Sequence, residues 1–468
     1  MLFINHDIGW AGRLMLRQFP RGFRFGSATS AYQIEGAAHA GGRQDSIWDV
    51  FCRVPGAVVR GENGDVACDH YHRYAEDVAL MADLGLGTYR FSVSWPRVLD
   101  GDRVLPEGMD FYSRLVDELL AKGIEPWLTL YHWDLPAALP GGWTNRDTAS
   151  RFVDYALALH DRLGDRVRTW TTLNEPWCSS FLSYAAGIHA PGQTDAAASI
   201  RAAHHLLLAH GWTVQALRAA DDHENELGVT LNFTPVISAS QSAADRDVAR
   251  RVDGTANRFF VEPIMTGDYP ADVRDDLAGY WPDDLVHEGD LAAISTPIDV
   301  LGVNYYTTNV FRAGEAEAGP TPHIAAPDAV QVLRDLPQTA MGWEVDPDGL
   351  RRLLTWLHTD YTGSAGVKLV VTENGAAFDD QPDADGYVDD TATRLEYLRR
   401  HLAAVHDAIG EGADVDGYLA WSLLDNFEWA LGYDKRFGIV AVDAELRRIP
   451  KASAAWYGQV ARTATLIG

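Results

Sequence analysis

The chain has 468 residues, 47% hydrophobic, 10% aromatic and 22% charged, which supplies apolar surface for a large core and excludes disordered, fibrous and collagenous classes. Its 66 acidic residues against 39 basic ones leave a formal charge of −27, a field that repels phosphate backbones and anionic lipid, so no nucleic-acid or membrane partner is expected. Three cysteines, Cys52, Cys68 and Cys178, form an odd set with no CxxC spacing, and no apolar run reaches membrane length; reduced thiols and a cytoplasmic location are expected.

Residues 1–20 precede any clear element and read as a loose N-terminal extension to one domain over residues 21–468. Residues 23–29 read as a strand, followed by a small-residue run leading into Gln33. Residues 71–84 carry helical spacing and stop at Gly85, and residues 88–95 form a strand cut by Pro96. Helices at 110–122, 147–163, 196–220 and 244–260 then alternate with strands at 125–132, 168–175, 228–233 and 299–306. A 311–339 loop of unusual length follows, and helices at 347–361 and 391–409 alternate with strands at 368–373 and 415–423.

Eight apolar strands interleaved with helices imply parallel pairing and closure into a single (β/α)8 barrel with elaborated loops. The rival is a doubly wound open sheet, but Gly26-Ser27-Ala28-Thr29 lacks the glycines of its phosphate-binding turn.

A barrel of this kind builds its site at the carboxyl ends of the strands. Two runs end there in a carboxylate: Leu369-Val370-Val371-Thr372-Glu373-Asn374-Gly375 and Thr169-Trp170-Thr171-Thr172-Leu173-Asn174-Glu175-Pro176. The other strand ends offer Gln33, Arg90, His132, Trp133, Asn304, Tyr306, Trp421, Glu428 and Trp429. Paired carboxylates among tryptophans and amides suit glycoside hydrolysis, in which one acid protonates the leaving oxygen and one carboxylate attacks the sugar carbon. Each glutamate taken alone also reads as a solvated surface residue, and His132 alone as a core histidine. His204, His205 and His210 read as helix packing without metal geometry, and Asp65 to His70 as a solvent-facing loop and helix start.

These residues together resemble glycoside hydrolase family 1, the β-glucosidase family, over residues 23–457. The resemblance rests on Phe23-Arg24-Phe25-Gly26-Ser27-Ala28-Thr29-Ser30-Ala31-Tyr32-Gln33-Ile34-Glu35-Gly36, on Thr172-Leu173-Asn174-Glu175-Pro176 and on Val371-Thr372-Glu373-Asn374-Gly375. It implies a retaining double displacement without a cofactor or metal, with Glu373 as nucleophile and Glu175 as acid/base. Gln33, His132, Trp133, Asn174, Asn304, Tyr306, Glu428 and Trp429 would hold the terminal sugar, with Trp421 as its floor. Arg90 and Tyr306 would support Glu373, and Trp343 would face the aglycone.

Myrosinase-like members carry Gln in place of Glu175, and phospho-glycosidase members carry Ser in place of Glu428. The expected substrates are therefore unphosphorylated β-D-glucosides, with galactosides and fucosides, as small β-glycosides or the short oligosaccharides of cellulose and polysaccharide degradation. Whether the chain forms a homo-oligomer stays open. The alternatives are a transglycosylase using the same site and a non-catalytic sugar-binding barrel.

Overall fold

The computed structural model describes residues 16–220 and 225–467. The apolar segments read above become eight strands: β1 (Arg24–Ala28), β2 (Thr88–Ser92), β3 (Glu125–Tyr131), β4 (Thr169–Asn174), β5 (Glu226–Asn232), β6 (Val300–Asn304), β7 (Lys368–Asn374) and β8 (Val415–Trp421). Each pairs in parallel with its neighbours in sequence and β8 returns to β1, closing a (β/α)8 barrel.

Both faces of each strand are covered, which is why the segments read as near-continuous apolar runs. The lumen is filled by Ala28, Trp127, Val300, Val370 and Leu419, and the outward residues Tyr89, Phe91, Leu128, Leu130 and Trp170 pack in the layer shared with the helices. Below them Arg24 binds Glu226 at 2.7 Å and Asp416 at 3.1 Å, with its guanidinium 5.4 Å from the Trp127 ring centre. Trp127 is a large side chain in the lumen and is fully buried, so Trp127→Ala is expected to remove about 3–5 kcal/mol of stability, measured by urea unfolding.

Local chemistry shifts several element boundaries. The helix expected at residue 110 begins at Pro106, because proline suits the first helical turn, where its missing N–H is not needed. Trp95 leaves the second strand for a short helix, Trp95–Val98, for the same reason at Pro96. The 311–339 segment is not a plain loop: Asn309–Ala313 pairs antiparallel with Ala329–Val332 and parallel with Val236–Ser238. The strands are short, and one partner lies some seventy residues away, so the pairing leaves no local pattern to read.

Residues 1–15 of the expected extension lie outside the described residues, and Leu16–Gln18 pairs with Thr465–Ile467. Among the described residues no helix is long and apolar enough to cross a membrane.

Candidate active site

Glu175 and Glu373 converge at the carboxyl end of the barrel because the strands that carry them are bulged. The β7–β8 register shifts between Val371 and Asn374, and the β4–β5 register between Thr171 and Asn174. Strict alternation would send Thr372 and Glu373 to opposite faces. Instead Thr372 Oγ1 donates to Asn304 Oδ1 at 2.7 Å and Glu373 meets Arg90, so both point inward, while Asn374 turns out to Tyr397 and Tyr418.

Glu373 is 3% exposed. Its Oε1 receives Arg90 Nη1 at 2.6 Å and its Oε2 the Tyr306 hydroxyl at 2.8 Å. Glu175, 6% exposed, receives Asn304 Nδ2 on Oε1 at 2.7 Å and the Cys178 thiol on Oε2 at 3.2 Å. Burial raises the proton affinity of both carboxyls, and their proximity raises it further at Glu175, which is pushed up to about 8. At Glu373 burial is opposed by Arg90, Tyr306 and Asn304. A direct guanidinium bond holds charge far better than an amide or a thiol, so the proton of the pair rests on Glu175.

Hydrogen-bond direction fixes the amides around them. Arg90 can only donate, and its Nη2 lies 2.7 Å from Asn174 Oδ1; Asn304 Nδ2 reaches the same oxygen at 3.1 Å. Asn174 Nδ2 must then donate to His132 Nε2, 3.0 Å away, which leaves the ring proton on Nδ1. Burial, with Arg90 nearby, pushes the imidazole well below its usual range and keeps it neutral.

A second group borders this one. Gln33 Nε2 donates to the Phe427 carbonyl at 2.8 Å, to Asn426 Oδ1 at 3.1 Å and to Glu428 Oε2 at 3.4 Å. Glu428 is pushed up to about 8 by burial and by the charges of Glu373 and Glu175. Trp133 tilts against Trp429 with ring centres 4.6 Å apart and donates to the Asn174 carbonyl, while His132 stacks on Trp421 at 5.8 Å. On the other side Trp343 tilts against Tyr306, with ring centres 5.3 Å apart. Trp133, Glu175 and Trp429 all have left-handed backbones, at φ 78°, 48° and 51°. Strain of this kind gathers where side chains must be aimed.

The structure thus draws every residue singled out at the strand ends into one constellation, Trp343 included. The polar partners Cys178, Asn426 and Thr372 escaped the sequence reading. Cys178 had a legible signal, lying one helical turn after a carboxylate followed by proline. His204, His205 and His210 sit apart in helix packing, bonded to Tyr269 and Asp290, to the Trp143 carbonyl and to Thr172. Asp65 is exposed, but Cys68 and His70 are buried, and His70 bonds to Asp77 at 2.8 Å. Among the described residues no group of three or more His, Cys, Asp and Glu side chains could hold a metal ion.

Residues 15–465 match the sequence model of glycosyl hydrolase family 1. The chain is 53% identical over 451 residues to the thermostable β-glucosidase B of Thermobispora bispora, covering 95% of this chain and 90% of that protein. It is 48% identical over 457 residues to the bifunctional β-D-glucosidase/β-D-fucosidase of Bifidobacterium breve, covering 94% and 97%. The crystal structure of the β-glucosidase from Exiguobacterium antarcticum superimposes with a TM-score of 0.91 at 45% identity, covering 96% of this chain and 99% of that one. The match to the family model and these full-length relatives place the chain in glycosyl hydrolase family 1.

Proposed function

We propose that the chain is a retaining β-glucosidase in which Glu373 is the nucleophile and Glu175 the acid/base. The observation that carries this reading is the contrast between the two carboxyls: one is held as an anion by Arg90 and Tyr306, and the other keeps a proton in a buried setting without a cation of its own.

In the first half-reaction Glu373 attacks the anomeric carbon while Glu175 gives its proton to the departing oxygen. The glycosyl ester that forms carries no charge on Glu373. The repulsion that held the proton on Glu175 is then gone, its proton affinity falls, and it becomes the base that deprotonates water for the return attack. Asn304 lies against both carboxyls, which favours the close spacing of retaining enzymes over the wider gap that must admit a water.

Gln33, His132, Trp133, Asn174, Glu428 and Trp429 are the groups facing the terminal sugar, over Trp421. Glu428, a carboxyl where the phospho-glycosidase members carry Ser, gives a 6-phosphate no cation to bind, and the relative from Bifidobacterium breve, named for both glucosidase and fucosidase activity, supports tolerance at that end of the sugar. Trp343 extends the aromatic surface beyond Tyr306 toward the aglycone. Small β-glycosides and short oligosaccharides are the proposed substrates. Residues 21–468 act as one catalytic unit, and three buried, unpaired thiols support a reducing, cytoplasmic setting.

The test is an NMR time course on an aryl β-glucoside: the β-anomer of glucose is the expected first product, and the α-anomer as first product defeats the retaining mechanism. A panel of gluco, fuco, galacto, manno and 6-phospho-gluco aryl β-glycosides is expected to give turnover of the first three and none of the phosphorylated sugar.

A further inference from the structure

Glu175 follows the end of β4 with its backbone at φ 48°, and the chain turns at once into a helix. The Cys178 N–H closes the first turn on the Glu175 carbonyl at 2.9 Å. A residue three positions on returns to the same side of the turn, so the Cys178 thiol comes to lie 3.2 Å from Glu175 Oε2. The wide helix Cys178–Ala185 keeps it there, with Ser183 Oγ donating to the Cys178 carbonyl at 2.9 Å.

Cys178 is buried, and among the described residues its thiol is the sole hydrogen-bond partner of Oε2. Burial and the adjacent charges of Glu175 and Glu373 push the thiol well above its usual range, so it is a neutral S–H donor and no nucleophile. The other groups facing Glu175 are Arg90 on β2, Asn304 on β6, Tyr306 just beyond β6, Glu373 on β7 and Glu428 beyond β8.

We infer that Cys178 is a positioning residue for the acid/base, orienting the Glu175 carboxyl and setting where the basic limb of the pH profile falls. Asn304 already donates to Oε1, so the proton that Glu175 carries belongs on Oε2, beneath the sulfur. In the ionised state the same oxygen takes the S–H bond. A thiol is a weak donor and a weak acceptor, so it serves both states without strongly favouring either. A hydroxyl in its place donates more strongly and favours the carboxylate, whereas an apolar side chain leaves the carboxylate short of a partner.

This inference rests on Glu175 being the acid/base, and the test separates the two. The pH profile of kcat/KM is measured for the parent, Cys178→Val, Cys178→Ser and Glu175→Gln on an unactivated aryl β-glucoside such as the phenyl glucoside, whose leaving oxygen needs the Glu175 proton. Cys178→Val, close in volume and without a donor, is expected to move the basic limb upward by about half a pH unit, and Cys178→Ser to move it downward by about as much. The acidic limb, which reports Glu373, is expected to stay in place. Basic limbs that do not move, or that move in the same direction in both variants, overturn the role of Cys178. A basic limb that persists in Glu175→Gln overturns the acid/base reading itself.

Discussion

Glu373→Ala is expected to lower turnover of aryl β-glucosides by ~10⁴-fold or more while leaving the fold intact. The magnitude follows from what is lost. No oxygen remains to form the glycosyl ester, and Arg90 and Tyr306, which donate to Glu373 at 2.6 and 2.8 Å, are left facing an empty site. That second loss supplies a more exacting check. A small anion such as azide or formate is expected to enter the gap, drawn by the Arg90 charge, and to restore part of the activity. Because it attacks from the face Glu373 occupied, with Glu175 still able to protonate the leaving group, azide rescue must yield the α-glycosyl azide. Full turnover by the alanine variant, or a β-azide from it, would falsify the assignment of the nucleophile.

Glu175→Gln is expected to act differently, with a loss that depends on the leaving group. For cellobiose and alkyl glucosides, whose leaving oxygens need a proton, kcat/KM is expected to fall by about 10³-fold. For a dinitrophenyl glucoside, which departs unaided, kcat/KM is expected to stay within about tenfold of the parent. The second half-reaction loses its base for every substrate, so with the dinitrophenyl glucoside, whose first step stays fast, the intermediate accumulates and both kcat and KM drop. Azide, which needs no base, attacks from the opposite face to Glu373 and is expected to give the β-glycosyl azide. An equal loss across all leaving groups counts against a proton-donating role.

The sign of the pH dependence follows from the same pair. In the proposed mechanism the first half-reaction requires Glu175 protonated, so activity is expected below its folded value of about 8 and is expected to be lost as pH rises through it, as a pH profile of kcat/KM on an unactivated aryl glucoside would read. The same mechanism needs Glu373 ionised, which is expected to set the acidic limb. Stability carries its own signature: Glu175 and Glu428 both bind their proton more tightly folded than unfolded. Their contribution is fully present below the ordinary carboxylate range and is lost as pH rises toward 8. Glu428→Gln is expected to flatten that slope in urea titrations between pH 5 and 8, since an amide has no proton to lose.

Much of this site was legible in the chain because strand ends are legible. Val370-Val371 before Thr372-Glu373 and Trp170 before Asn174-Glu175 mark buried strands that stop at an acid, and barrel closure brings strand ends together whatever their order. The pairing of Asn309–Ala313 with Val236–Ser238 was not legible, since nothing local to either segment records a partner so far away. Nor were Thr372 and Asn426, whose importance lies in which oxygen they touch.

By itself the sequence determined the eight-strand alternation, the burial of those strands and the identity of the groups at their carboxyl ends, because periodicity and residue chemistry are local properties. The tertiary structure alone decided which way those groups face and which of them holds the proton. Bulges at the ends of β4 and β7 depend on the register of neighbouring strands, and they turn Glu175 and Glu373 into the same space. Proton affinity depends on burial and on what stands within hydrogen-bond reach: Arg90 beside one carboxyl, an amide and a thiol beside the other.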